Sequence, residues 1–188
     1  MGRIVVTEFV SLDGVMEDPG GSENFKYGGW TFEISRGDEG EKFKLDEAFE
    51  ADALLLGRVT YEGFADAWLS RAGDPFADLF NAMPKYVATR TVTEWKWNAQ
   101  PLEGDAAEAV RRLKESEGGD LIKYGTGSFS KTLLENKLVD EYHFWFFPVV
   151  AEGDTMFRGT GIDITHLELL GTTTFKSGIV VHKLGPKA

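Results

Sequence analysis

The sequence predicts an α/β fold: a three-layer α/β/α domain with a mixed, mostly parallel central sheet and a C-terminal antiparallel hairpin. Three observations lead there. Short, β-prone apolar runs alternate with stretches of helical periodicity for most of the length. The first run, Ile4–Val10, hardly alternates polar with apolar, as a strand covered on both faces does not. The tail, His166–Phe175 and Ile179–Leu184 around Lys176-Ser177-Gly178, has the pattern of a hairpin. At 188 residues the chain is long enough for one well-buried domain spanning residues 1–188 and short for two.

Taken in order, Ile4–Val10 is a central strand that exits through Ser11-Leu12-Asp13-Gly14. A Gly-rich loop follows, Asp18–Trp30, carrying Phe25, Tyr27 and Trp30. Its length and exposed aromatics suggest a lid. Leu45, Ala48 and Phe49 mark one face of a helix over Asp38–Glu50, and Ala53–Leu56 is a short strand. Gly57-Arg58-Val59-Thr60 then opens a helix whose apolar face is Tyr61, Phe64, Ala65 and Trp68. Asp74-Pro75 starts another, with Asp as N-cap and Pro at the first helical position. Lys85–Thr89 is a strand leaving Arg90-Thr91 at its end, and Asp105 caps a helix bearing Val110 and Leu113. Asp120–Tyr124 runs into Gly125-Thr126-Gly127-Ser128, a helix with Phe129, Leu133, Leu134 and Leu138 on one face, and the strand Tyr142–Phe147.

Composition narrows the chemistry. Net charge is −11, which disfavours nucleic acid and anionic membrane as partners and leaves a small-molecule substrate as the expected one. The absence of Cys excludes thiol catalysis and fits a cytoplasmic protein. Met1–Arg3 leads straight into Ile4–Val10, too short a run for a signal peptide or membrane span. His143, His166 and His182 show no ligand spacing, so no metal is expected. No G-x-S-x-G elbow and no Walker pattern are present, which argues against a serine hydrolase and against nucleoside triphosphate hydrolysis.

Four strand ends carry ligand-binding chemistry: Ser11–Gly14, Gly57–Thr60, Thr89–Thr91 and Gly125–Ser128. In open α/β sheets such ends face one crevice. Glycines let backbone N–H groups approach an anion at a helix N-terminus, and Arg58 and Arg90, each near a Thr, offer forks for phosphate. A ligand with several phosphates would need that distribution. Taken singly, either Arg also reads as an ordinary surface ion pair.

The segments Ala53–Glu62, Tyr86–Arg90, Leu121–Gly127 and Glu152–Phe157 resemble, in order and spacing, the motifs of the dihydrofolate reductase superfamily. The Ser11–Gly14 turn resembles especially the branch containing the reductase half of the bifunctional riboflavin-biosynthesis deaminase-reductase. The resemblance implies a dihydrofolate reductase-like fold, NADPH as cofactor, and hydride transfer to a pterin- or pyrimidine-like heterocycle or its ribosylamino derivative. It implies that Gly57, Arg58 and Thr60 hold phosphates, with Arg58 on the 2′-phosphate side, and that Thr89, Arg90 and Thr91 line the adenosine-phosphate end. Gly125, Thr126, Gly127, Ser128 and Phe129 would wrap the pyrophosphate. Glu8, Phe9, Met16 and Tyr124 would frame the nicotinamide. Thr155 would lie near the substrate, and the loop that ends at Trp30 would close over it.

Some positions depart from the family pattern. Ser130 stands where an aromatic often follows the glycine loop, and Asp38, Glu39, Glu41, Asp46 and Glu47 all compete for the carboxylate that a dihydrofolate reductase uses on its first helix, a solvated helix face being the commoner explanation for all five. Asp13 reads either as a substrate-orienting group or as ordinary Asp-Gly turn chemistry. Trp145, Phe146 and Phe147 read as core or as the interface of a homodimer, and Trp95 and Trp97 as an exposed patch and oligomer contact. The rival to an enzyme is a non-catalytic NADP(H)-binding protein of the same fold. An ordered polar group beside the nicotinamide position favours catalysis, and an apolar closed pocket favours binding alone.

Overall fold

The computed structural model describes residues 1–71, 73–116, 119–155, 157–158 and 161–187. Eight strands form one sheet: β1 (Ile4–Val10), β2 (Ala53–Gly57), β3 (Lys85–Ala88), β4 (Ala99–Pro101), β5 (Leu121–Tyr124), β6 (Glu141–Phe146), β7 (Leu167–Thr174) and β8 (Val180–Pro186). Their spatial order is β4-β3-β2-β5-β1-β6-β8-β7. Every pairing from β4 through β6 is parallel, and β8 pairs antiparallel with both β6 and β7. The predicted mixed sheet with a terminal hairpin is therefore the observed one.

Five helices cover the faces: α1 (Gly37–Phe49), α2 (Arg58–Trp68), α3 (Pro75–Ala82), α4 (Ala106–Ser116) and α5 (Ser128–Glu135). Right-handed crossovers sort them. The chain steps leftward across the sheet through α1, α2 and α3 and rightward through α4 and α5, so the two groups fall on opposite faces. The cores agree. One cluster joins Val110 and Leu113 of α4 and Leu133 of α5 to Val6, Leu55 and Phe144. The other joins Ala48, Tyr61, Ala65 and Phe80 of α1–α3 to Leu54, Leu56 and Ile122. Adjacent β2 residues serve opposite layers, which is why Leu54-Leu55-Leu56 is uniformly apolar and fully buried.

Helix starts follow the sequence. The Asp74 carboxylate accepts from the N–H groups of Phe76 and Ala77, with Pro75 at the first turn, and Asp105 accepts from Glu108 N–H. A third cluster, Trp30, Trp145, Phe147, Phe175, Ile179 and Val181, lies under the hairpin.

Several expectations are corrected here. Trp30 is not an exposed lid aromatic: it is 2% exposed, packs edge-on against Phe147, and its indole N–H donates to Glu17 O. Trp97 is buried as well, donating to Asn81 Oδ1, so it forms no exposed patch with Trp95. Trp145 and Phe147 are core rather than interface. Helix α1 buries Gly40, Lys44, Glu47 and Ala48, while Phe49 is exposed. Strand β4 was not foreseen.

Candidate functional site

Because β1, β2, β3 and β5 run parallel, their C-terminal ends share one edge of the sheet. There a cleft of about 1230 Å³ opens. That exceeds the ~300–1,000 Å³ of ordinary small-molecule sites and would admit two molecules side by side. Its wall comprises Thr7, Glu8 and Phe9 of β1, the loop from Met16 to Glu23, Arg36 and Lys44, Val59 and Thr60 of α2, the turn Tyr124–Ser128, and Asp154, Thr155 and Arg158. At another place a pocket of about 90 Å³ is lined by Arg3, Glu47, Asp120, Glu141, His143 and Lys183.

Three helices begin at or beside the cleft, and α3 among them is capped by Asp74. α2 starts behind Gly57 and α5 behind Gly127, and neither N-cap has a side chain that accepts from the first turn. Their leading N–H groups are thus left for a ligand, and the helix dipoles favour an anion there. Gly125 has φ +82°, and a Cβ on it would collide with Thr60 Oγ1. The β5–α5 turn and the first turn of α2 can therefore sit together only with glycine at 125. Such a cradle matches a pyrophosphate in shape and polarity.

Of the sequence-derived candidates, Phe9, Met16, Thr60, Tyr124, Gly125, Thr126, Gly127, Ser128 and Thr155 line the cleft. Gly57 and Arg58 stand at its rim, directly before Val59 and Thr60. Arg58 pairs with Glu62 at 2.7 Å, both side chains about half exposed, so its guanidinium is free to exchange partners. Thr89, Arg90 and Thr91 follow β3, beside the exit of β2, outside the cleft wall. The Thr89 hydroxyl accepts from the N–H groups of Thr91 and Val92. Phe129 is buried in the α4–α5 core behind the turn it was expected to help form. Met156 lies outside the described residues.

Asp13 and Trp30 are not brought to the cleft. Asp13 accepts from Ser11 Oγ at 2.5 Å, from Ala151 N–H at 3.1 Å and from Glu152 N–H at 2.9 Å. These contacts, the Ser11 hydroxyl first, hold its carboxyl down at about 2. Asp13 ties the exit of β1 to the chain beyond β6.

Two buried ionic groups lie against the strands at the cleft floor, each joining a carboxylate the sequence had offered, Glu47 or Glu8, to a lysine it had not, Lys44 or Lys123. On the α1 face Lys44 Nζ donates to Thr7 Oγ1 at 2.7 Å and to Glu47 Oε2 at 2.5 Å. Glu47 also meets His143 Nδ1 at 2.5 Å, Thr7 Oγ1 at 2.9 Å and Trp145 Nε1 at 3.5 Å. Burial alone would raise the Glu47 carboxyl, but Lys44 and His143 overcome it and hold it at about 2. On the α5 face Lys123 Nζ lies 3.4 Å from Glu8 Oε1 and donates to Gly125 O and Ser130 Oγ. There burial wins, and the Glu8 carboxyl is pushed up. Glu47 is thus no solvated helix carboxylate, and Ser130 has a partner rather than an aromatic's place. A helical-face count could have found Lys44 and Glu47, which share one face at i, i+3, only by accepting charged residues as core.

Sheet order, helix placement and the cleft at the parallel strand ends are those of the dihydrofolate reductase-like class. The chain belongs to the RibD C-terminal domain family, whose model matches residues 3–181. It is 30% identical over 187 residues to the uncharacterized protein YyaP of Bacillus subtilis (strain 168), covering 95% of this chain and 92% of that one. Among solved structures it resembles a putative riboflavin biosynthesis protein from Shewanella sp. PV-4, with a TM-score of 0.77, 17% identity and 99% of each chain covered. It also resembles the diaminohydroxyphosphoribosylaminopyrimidine deaminase/5-amino-6-(5-phosphoribosylamino)uracil reductase of Thermotoga maritima, with a TM-score of 0.68 and 14% identity. That match takes in 99% of this chain and 57% of the Thermotoga chain.

Proposed function

We propose that this protein is an NADPH-dependent reductase that transfers hydride to a pterin- or pyrimidine-like heterocycle or its ribosylamino derivative. The observation that carries the reading is the pair of uncapped helix N-termini, behind Gly57 and Gly127, flanking a cleft with buried charge at its floor. The cofactor would supply the hydride. Backbone N–H groups of Gly127–Phe129 would take its pyrophosphate and Arg58 its 2′-phosphate, while Phe9 and Tyr124 would bound the nicotinamide. Lys44 and Glu8 in the cleft wall are the ordered polar groups that favour catalysis over simple binding. Membership of a family that includes the reductase half of a bifunctional enzyme points the same way.

Energy transfer from the tryptophans to bound NADPH and NADH tests the cofactor, and NADPH oxidation with pyrimidine and pterin acceptors tests the reaction. The expected result is tight binding selective for NADPH. Arg58→Ala should weaken NADPH about 10-fold or more while leaving NADH nearly unchanged, since a charge-assisted hydrogen bond contributes ~1.5–3 kcal/mol. Equal weakening of both removes Arg58 from the 2′-phosphate, and no binding of either overturns the cofactor site.

A further inference from the structure

A reductase that adds hydride to carbon must also find a proton for the neighbouring atom. The cleft floor holds one buried ammonium with a donor to spare. An ammonium has three N–H donors. Lys44 spends two, on Thr7 Oγ1 and Glu47 Oε2. Around its Nζ stand the rings of Phe9, Tyr124 and Trp145, with centroids at 5.2, 4.9 and 5.2 Å. Phe9, Tyr124 and Lys44 itself line the cleft. Lys85 and Lys123, also buried, are outside the wall.

Behind Lys44 the network continues away from the cleft. His143 Nδ1 meets Glu47 Oε1 at 2.5 Å and His143 Nε2 meets Glu141 Oε1 at 2.7 Å. The two ring nitrogens thus tie Glu47 to Glu141, so that Glu47 is shared between Lys44 and this bridge. His143, Glu47 and Glu141 all border the small pocket of about 90 Å³, not the cleft.

We propose that Lys44 is the catalytic acid of the reduction and that Glu47 and His143 are the residues that position it and set its acidity. The proposal rests on the reductase reading. As a hydride, with its electron pair, bonds to the carbon of a C=N acceptor, the π pair moves onto nitrogen. That nitrogen takes a proton from Lys44 Nζ. The acceptor gains two electrons and two hydrogens in all, and Lys44 is left a neutral amine that regains a proton from solvent through the cleft once product leaves. Loss of the charge is tolerable because burial already lowers the Lys44 pKa, with Glu47 opposing that effect. The groups facing Lys44 are Glu47 and Arg36 from α1 and its lead-in, Thr7 and Glu8 from β1, Tyr124 from β5, and, through Glu47, His143 from β6. The same burial predicts that turnover falls as pH rises through the lowered Lys44 value.

The test combines turnover with a readout of the free protein. Lys44→Met should lower turnover with NADPH and a pyrimidine or pterin acceptor by ~10²–10⁴-fold, the usual worth of a general acid, with NADPH affinity within about twofold. His143→Gln leaves the cleft wall intact. Without the bridge, Glu47 is given wholly to Lys44, so the alkaline limb of turnover should move up by about one pH unit. The ¹⁵N resonance of Lys44 Nζ, assigned with the Met variant, should show the same upward move of its titration midpoint in protein without cofactor. Unchanged turnover in Lys44→Met, or a Lys44 midpoint that His143→Gln does not move, overturns the proposal. Wild-type protein that oxidises no NADPH with any acceptor sinks the reductase reading, whereas an unmoved midpoint sinks the acid whether or not turnover is seen.

Discussion

Lys44 and Lys123 stand on opposite faces of the same sheet, both buried and each beside a buried glutamate, yet the glutamates end in opposite states. Glu47 receives Lys44, Thr7, His143 and Trp145 and is held at about 2. Glu8 has Lys123 at 3.4 Å as its side-chain partner, and its carboxyl is pushed up. Burial is common to both. What differs is the number and closeness of donors, and these outweigh desolvation on one face but not on the other. The Lys44 face is therefore a committed ion pair, while Lys123 is held mostly by the neutral oxygens of Gly125 and Ser130.

Deleting each carboxylate should separate the two faces most sharply. Glu47→Gln strands a buried ammonium and should cost about 3–5 kcal/mol in urea unfolding at pH 7. Glu8→Gln, which removes a charge that burial already disfavours, should cost under about 2 kcal/mol. Equal losses would break the comparison.

Acid unfolding sharpens it. Glu47 is held below its ordinary 4.5, at about 2 in the folded state, so its contribution is present above 4.5 and lost as pH falls from there towards 2. That amounts to about 3 kcal/mol, and Glu47→Gln should flatten this limb of the stability curve. Glu8, raised by burial, contributes in the opposite sense: its share is present at low pH and lost as pH rises through its folded value. A Glu8→Gln curve that loses the same acid limb as Glu47→Gln would show the two carboxyls to be alike.

Gly125→Ala should cost less stability than Glu47→Gln. It forces an alanine into φ +82° against Thr60 and displaces the carbonyl to which Lys123 donates. The expected cost is about 1–3 kcal/mol by thermal unfolding, with NADPH binding lost and the Lys44 ¹⁵N midpoint unmoved. A moved Lys44 midpoint would mean that the two faces are coupled through β1.

Much of the fold was legible because it rests on local rules. The Asp74-Pro75 and Asp105 starts, the two strand–glycine–helix turns and the terminal hairpin each depend on residues close in sequence. β4 escaped because Ala99–Pro101 is three residues long, has a Pro, and is a strand only by pairing with β3. Trp97 escaped because its burial depends on Asn81 and Phe80, far back in the chain. The buried face of α1 was misread because periodicity counts Lys44 and Glu47 as solvent-facing.

By itself the sequence determined the order of elements, the class of fold and the glycine turns at the strand ends, since propensity, capping and left-handed backbone are properties of neighbouring residues. Only the tertiary structure decided that Lys44, Glu47 and His143, from a helix and a strand 96 residues apart between Glu47 and His143, would meet in a buried network. Whether a charged side chain is solvated or desolvated, and so what protons it holds, is decided by the groups that close over it.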